Sequence, residues 1–263
     1  MLIYSVQMMQ WSELNVAILE MAKCHTHVLV SIPPSLEIGD PVLYHQNILI
    51  DSLSGGNLKW LGYLSSTSVY GDSRGSLIDE EFRVYSTSDA AKLRLAAEDG
   101  WLSFGHLLGI SSHVFRLGGV YGPGRSAIDT LSNQKPQSES QKKRASKRYT
   151  SRVHVYDVCQ VLEACISLPS SRRLYNIVDD DPAPRDEVFA YAQNLISKKW
   201  PGVLKDSQNS KDFGAWDANA SSWIGQKRVS NARLKSELGV KLLYPSYKSG
   251  LLSVLDELKN LGP

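Results

Sequence analysis

Short runs of apolar residues alternate along this chain with longer segments in which apolar residues recur at helical spacing. The short runs predict buried strands at residues 26–32, 58–66, 113–117 and 174–178. The longer segments predict helices at residues 86–105, 158–168 and 185–200. Strands that alternate with helices are typical of a parallel sheet with crossover helices on its faces. The predicted fold class is therefore α/β, with a doubly wound parallel sheet.

Two segments interrupt this pattern. Residues 132–150 are polar and nearly free of aliphatic side chains, which predicts a mobile surface loop. Residues 208–226 are rich in Ser, Asn and Asp but also carry Phe213, Trp216 and Trp223. Three large aromatic side chains favour an ordered lobe over a disordered linker.

Composition excludes several classes of protein. The 263 residues contain 29 Lys and Arg against 27 Asp and Glu, a net charge of +2, so we expect no nucleic-acid partner. No stretch approaches the roughly 20 apolar residues of a membrane span, so no membrane partner is expected. Residues 1–11 lack the pattern of a secretory signal, which predicts a soluble, cytoplasmic protein. An organelle such as the plastid stays open if a longer form carries a presequence.

The cysteines and histidines do not form a metal-binding pattern. Three cysteines, Cys24, Cys159 and Cys165, form no CxxC pair, so neither a disulfide framework nor a zinc ribbon is predicted. Cys24 and His27 lie at the start of a predicted strand without a second ligand pair. We therefore predict no metal.

The most informative segment is Leu64-Ser65-Ser66-Thr67-Ser68-Val69-Tyr70-Gly71. It places hydroxyl groups at the carboxyl end of a predicted strand, where open α/β sheets bind their ligands. Taken alone, the segment fits a serine-rich turn equally well.

Further motifs follow this segment in a fixed order. They are Leu95-Ala96-Ala97-Glu98, the glycine-containing run at residues 116–124, the segment at 152–158 that contains His154 and Asp157, and Tyr175-Asn176-Ile177-Val178-Asp179-Asp180. The series resembles the NAD(P)-dependent epimerase/dehydratase family of extended and atypical short-chain dehydrogenase/reductases. The resemblance runs from residue 24 to the end of the chain.

The resemblance implies a Rossmann domain over residues 1–130, to which residues 150–180 also contribute, and a small substrate lobe over residues 131–263. It implies NAD or NADP as cofactor and a small-molecule substrate, such as a sugar nucleotide, with a homodimer left open. Family members polarise the substrate oxygen with a hydroxyl residue that corresponds here to Ser66. The implied cofactor-binding set is Ser31, Pro33, Leu64, Ser65, Ser66, Arg94, Leu117, Gly118, Gly119 and Val120. His154 and Asp157 are expected to position the loop beside the substrate cleft.

One departure from the family concerns its YxxxK motif. Alignment on residues 95–98 places Ala90 at the Tyr position and Arg94 at the Lys position. An arginine stays protonated, so Arg94 can hold a ribose hydroxyl but cannot exchange protons. Lys92 lies about 200° away around the helix and faces elsewhere. Tyr85, in the loop before the helix, has the wrong spacing and is interpreted as a surface aromatic. Ser66 and Arg94 are thus the predicted catalytic residues.

A second departure concerns the glycine-rich turn that binds the pyrophosphate. The first glycine is Gly39, and the family's first three strands have no counterpart in residues 1–23. Such a sheet would leave residues 28–30 on an open apolar edge. We interpret the sequence as an amino-terminally truncated product of a longer gene with impaired dinucleotide binding. Alternatively, residues 1–23 supply a replacement strand.

Three functional hypotheses follow. The first is an NAD(P)-binding oxidoreductase that transfers hydride to or from a hydroxyl or carbonyl substrate. The second is a non-catalytic module for dinucleotide sensing or protein interaction, because the Tyr and Lys are absent. The third is an inactive truncated isoform without a stable fold of its own.

Overall fold

The computed structural model describes residues 23–84, 88–132, 149–167, 173–201 and 227–258. Its strands are β1 (His27–Val30), β2 (Trp60–Ser66), β3 (Leu77–Ile78), β4 (Ser111–Leu117), β5 (Gly119–Tyr121), β6 (Arg152–His154), β7 (Arg173–Ile177) and β8 (Arg228–Val229). Its α-helices are α1 (Gln46–Leu53), α2 (Asp89–Leu107), α3 (Ala127–Ser132), α4 (Val155–Ile166), α5 (Arg185–Lys199), α6 (Ala232–Leu238) and α7 (Tyr247–Glu257). The predicted lobe at 208–226, Tyr85 and most of the predicted loop at 132–150 lie outside the described residues.

The main sheet has the strand order β1-β2-β4-β7. β1 and β2 pair in parallel, with His27 opposite Trp60 and Val30 opposite Tyr63. The alternating strands and helices confirm the predicted α/β class with a parallel sheet. Two smaller parallel pairs, β3 with β8 and β5 with β6, were not anticipated, because strands of two or three residues carry no readable alternation.

The chain divides into two compact units. The first unit comprises Met1–Ser65, Ser88–Val114 and Pro169–Arg173, and it contains β1, α1 and α2. Helix α2 begins with a side-chain cap, since Ser88 Oγ accepts a hydrogen bond from the Ala91 amide. Helix α2 buries Ala97, Glu98 and Trp101, among others. Its Gly105 leaves space for Ser112 of β4.

The second unit comprises Ser66–Thr87, Phe115–Leu168 and Leu174–Pro263. Its apolar core is built by α3, α5 and α7 around buried residues such as Ile128, Ile196 and Leu251. Helix α4 begins three residues earlier than predicted, because the His154 side chain accepts a hydrogen bond from the Tyr156 amide and caps it. Across all the described ranges, no helix is long and apolar enough to cross a membrane.

Candidate functional site

The second unit begins with a hydroxyl-rich turn at the end of β2. Ser66 caps a short 3-10 helix, Thr67–Tyr70, by accepting a hydrogen bond of 3.1 Å from the Ser68 amide. Gly71 ends the turn with a φ of 70°, a conformation that favours glycine. Ser66 is half-buried, so part of the residue remains exposed to solvent.

A hydrogen bond from Tyr70 connects this turn to β7. Its hydroxyl donates a hydrogen bond of 2.7 Å to Oδ1 of Asn176, which is fully buried. The Arg116 guanidinium lies 4.6 Å from the centre of the Tyr70 ring. Burial raises the pKa of Tyr70, while the positive charge of Arg116 opposes the rise. Tyr70 therefore stays neutral and acts as an anchor for the Ser66 turn.

Lys227, which is distant in sequence, contacts the same turn. Its Nζ donates a hydrogen bond to the carbonyl oxygen of Thr67, the residue that follows Ser66. Strand β8 fixes the backbone after Lys227, because it pairs with β3 and the Val229 amide donates to Ser151 Oγ at 3.2 Å. Lys227 belongs to none of the recognised motifs, so no local pattern in the sequence points to this contact.

The glycines after β4 allow two chain segments to approach closely. The Gly119 amide donates to the Ser151 carbonyl at 2.9 Å, and the Gly118 amide donates to the Ile177 carbonyl at 3.0 Å. A Cβ on Gly118 would lie 3.0 Å from both the Arg152 Cα and the Ser151 carbonyl oxygen. Gly118 is therefore required by packing, whereas Gly119 is exposed to solvent.

A buried arginine and a buried carboxyl group lie close to these glycines. Arg152 donates to Thr150 Oγ1 at 2.6 Å and to the Ala183 carbonyl at 2.7 Å. Asp179 is 2 % exposed, and burial raises its pKa to about 8, although the Arg152 charge opposes this shift. No pattern in the sequence connects these two residues, because nothing in their spacing shows that both are buried.

The side chains of His154 and Asp157 accept hydrogen bonds from backbone amides in the second unit. His154 is wholly buried and lies 4.1 Å, between ring centres, from Tyr244. Burial lowers the pKa of His154, so its ring is neutral near pH 7. Asp157 accepts hydrogen bonds from the Leu243 and Tyr244 amides at 2.6 and 3.1 Å. These contacts fit the expected positioning role better than proton transfer.

The first unit holds the other part of the predicted site. Ser65 Oγ donates a hydrogen bond to Oε1 of Glu98 on α2, and both residues are buried. Arg94 lies one helical turn before Glu98 and is half-buried. Its charge acts on Tyr63, whose pKa is nevertheless raised to about 12 by burial. Lys92 instead pairs with Asp89 at 3.5 Å, and its side chain is 62 % exposed, as its angular position predicted.

Tyr63 is unsuited to replace the missing catalytic tyrosine. It precedes the end of β2 by three residues, which corresponds to roughly 10 Å along a strand. Its side chain is 0 % exposed and stacks on Trp101, with 6.3 Å between ring centres. Tyr63 therefore belongs to the core of the first unit.

The predicted site residues are shared between the two units. Ser31, Pro33, Leu64, Ser65 and Arg94 belong to the first unit. Ser66, Leu117, Gly118, Gly119 and Val120 belong to the second unit. Ser31 and Pro33 directly follow β1 and are exposed. In the part of the chain that the structure describes, no group of three or more His, Cys, Asp and Glu side chains is arranged to hold a metal ion.

Comparison with solved structures identifies the fold of this chain. A conserved protein of unknown function from Silicibacter pomeroyi is 34 % identical, with 88 % of this chain and 78 % of that chain covered and a TM-score of 0.69. UDP-glucuronic acid 4-epimerase from Bacillus cereus, solved with UDP-glucuronic acid and NAD, is 14 % identical, with coverage of 94 % and 80 % and a TM-score of 0.67. The chain thus has the Rossmann-type fold of the NAD-dependent epimerases and dehydratases, which confirms the resemblance of its motifs.

The chain belongs to the same family as the Silicibacter pomeroyi protein. Among curated proteins, Protein YeeZ of Escherichia coli strain K12 is 27 % identical over 198 residues. That match covers 75 % of this chain, and the chain spans 63 % of the length of YeeZ. No protein-family model matches the sequence.

Proposed function

We propose that this protein binds NAD or NADP and acts as an oxidoreductase on the hydroxyl or carbonyl group of a small-molecule substrate, with a sugar nucleotide as the favoured class. The observation that carries the proposal is the half-buried Ser66 turn at the carboxyl end of β2. Ligands of open α/β sheets bind outside the carboxyl ends of the strands. Tyr70 and Lys227 fix this turn from two directions.

The surface chemistry at the strand ends fits a dinucleotide. Ser31, Pro33 and Gly119 are exposed, and Leu117, Gly118 and Val120 are half-buried. These residues therefore offer both apolar surface and backbone groups to the cofactor. Ser65 contributes through its backbone, because its hydroxyl is bound to Glu98.

In this proposal, Ser66 donates a hydrogen bond to the reacting oxygen of the substrate and so polarises it. Arg94 holds a ribose hydroxyl but remains protonated. A bound nicotinamide would supply the hydride acceptor or donor. When a substrate alcohol is oxidised, its hydroxyl proton passes to solvent water, since neither Ser66 nor Arg94 is a base at neutral pH.

A thermal melt with and without about 1 mM of each dinucleotide tests this proposal. A ligand present at about ten times its dissociation constant stabilises the native state by about 1.4 kcal/mol. We expect NAD(H) or NADP(H) to raise the melting temperature. A melting temperature that none of the four forms changes would contradict the proposal.

A second candidate is a dinucleotide sensor without catalysis. The observation that favours it is the Ala90 and Arg94 pair, which lacks a proton-transferring group. The double variant Ala90→Tyr/Arg94→Lys distinguishes the two functions. Turnover of UDP-glucuronic acid with NAD that appears only in this variant would favour the sensor, whereas turnover by the natural sequence would exclude it.

A further inference from the structure

Lys227 brings a positive charge to the residues that the proposed function places at the nicotinamide. Its ammonium group contacts the Thr67 carbonyl oxygen, and Thr67 directly follows Ser66. The contact joins residues separated by 160 positions along the chain, so only the tertiary fold produces it.

The position of Lys227 is fixed on both sides of the contact. On the lysine side, Arg228 pairs with Leu77 and the Val229 amide donates to Ser151 Oγ. On the turn side, the Ser66 cap and the Tyr70 bond to Asn176 hold Thr67 in place. The carbonyl oxygen of Ser151 in turn accepts a hydrogen bond from the Gly119 amide. The contacts therefore link Lys227, the Ser66 turn and the Gly119 segment within the second unit.

The charge of Lys227 has a different effect on the two redox forms of a dinucleotide. The oxidised nicotinamide ring carries a positive charge, and the reduced ring is neutral. A positive side chain near the ring repels the charged oxidised ring but not the neutral reduced ring. Its attraction for the phosphate groups is common to both forms, so the ring charge decides how the ratio of the two affinities changes. For scale, the repulsion between any two like unit charges about 8 Å apart, at an effective dielectric of about 40, corresponds to about a fivefold change in affinity.

We propose that Lys227 determines the redox preference of the dinucleotide site, by placing its ammonium beside the Ser66 turn and so favouring the reduced over the oxidised cofactor. This inference rests on the proposed function, because it requires that a dinucleotide binds with its nicotinamide near Ser66. It adds a specificity-determining residue that lies outside every motif of the sequence.

The test compares four variants in their dissociation constants for NADP⁺, NADPH, NAD⁺ and NADH. Lys227→Met removes the charge and the hydrogen bond to Thr67. Lys227→Gln removes the charge but keeps a hydrogen-bond donor, and Lys227→Arg keeps the charge. Arg228→Gln is the matched control, because it removes the same charge one residue away, where the guanidinium lies 5.9 Å from the Tyr149 ring.

We expect the ratio of the oxidised to the reduced dissociation constant to fall about fivefold in the Met and Gln variants. The Arg variant and the Arg228→Gln control should keep the ratio of the natural protein. A purely structural role for Lys227 would weaken both forms by the same factor, and an unchanged ratio in the Gln variant overturns the inference while the proposed function stands. Failure of the natural protein to bind any of the four forms overturns both.

Discussion

Ser65 and Ser66 are neighbours in the sequence and belong to two regions with opposite character. In the first unit, Ser65 is buried and donates its hydroxyl to Glu98, beside a polar cluster in which Trp101 also donates to Asp40 at 2.8 Å. In the second unit, Ser66 caps an accessible turn. Successive side chains of a strand point to opposite faces, which is why adjacent serines meet such different surroundings. Of these two hydroxyl groups, that of Ser65 thus stabilises the core of the first unit, whereas Ser66 stays partly exposed to solvent.

The largest expected effect comes from the buried region. Replacing Glu98 by Ala leaves the Ser65 hydroxyl without this acceptor and opens a cavity, so we expect a loss of about 3 kcal/mol in the free energy of unfolding. Urea denaturation measures it. The double variant with Ser65→Ala should lose less than the sum of the two single variants. Strict additivity would show that the two side chains do not interact.

The two regions should also respond to pH in opposite directions. Burial lowers the pKa of His113 in the first unit to about 4, and burial raises the pKa of Asp179 in the second unit to about 8. Below its usual pKa of about 6.5, His113 binds a proton only in the unfolded chain, so stability is lost as the pH falls from about 6.5 to 4. Asp179 keeps its proton only in the folded chain, so stability is lost as the pH rises from about 4 to 8.

Variants that cannot ionise should remove these dependences one at a time. We expect His113→Asn to reduce the loss of unfolding free energy between about pH 6.5 and 4. We expect Asp179→Asn to reduce the loss of unfolding free energy between about pH 4 and 8. Each residue contributes a slope of at most about 1.4 kcal/mol per pH unit. Variants whose slopes equal those of the natural protein would refute the assigned shifts.

Two tyrosines allow the same substitution in both regions. Tyr70 donates to Asn176, whereas the buried Tyr63 hydroxyl has no hydrogen-bond partner within the described residues. Tyr70→Phe should therefore cost about 1 kcal/mol, and Tyr63→Phe should be neutral or stabilising. Thermal melts of the two variants measure the difference. Equal losses would mean that Tyr63 also makes a stabilising hydrogen bond.

The smallest expected effect on stability belongs to Ser66. Ser66→Ala removes one capping hydrogen bond at a half-buried position, so the loss should stay near 0.5 to about 1 kcal/mol. If Ser66 polarises the substrate, as proposed, turnover should fall far more than stability. A matched Ser68→Ala variant, exposed on the same turn, should change neither property. Equal turnover in both variants would remove Ser66 from the proposed chemistry.

The sequence predicted the elements whose side chains follow a regular pattern. The strand at 58–66 reads as a continuous apolar run, and in the structure β2 is Trp60–Ser66, with Trp60, Leu61, Gly62 and Tyr63 buried. The helix predicted at 86–105 is α2, Asp89–Leu107, with Ser88 as its cap. The short strands β5 and β6 were missed, because three residues are too few for periodicity to be measured.

The sequence predicted only those residues of the candidate site that lie within or align with a local motif. Ser66, Arg94 and the segment from Leu117 to Val120 follow from local motifs, and their part in binding stays a prediction. The Glu98 partner of Ser65 and the Lys227 contact with Thr67 could not be derived, because each joins distant positions of the chain. Burial, which local sequence does not show, also decided that Asp179 has a raised pKa.

The sequence by itself determined the α/β class, the family resemblance and the hydroxyl turn, since apolar periodicity and motif order are properties of neighbouring residues. Only the tertiary structure decided which of two adjacent serines is accessible, which carboxyl group keeps its proton and which lysine meets the Ser66 turn. These properties depend on burial and on contacts across the chain, because desolvation and the partner of each polar group set its free energy.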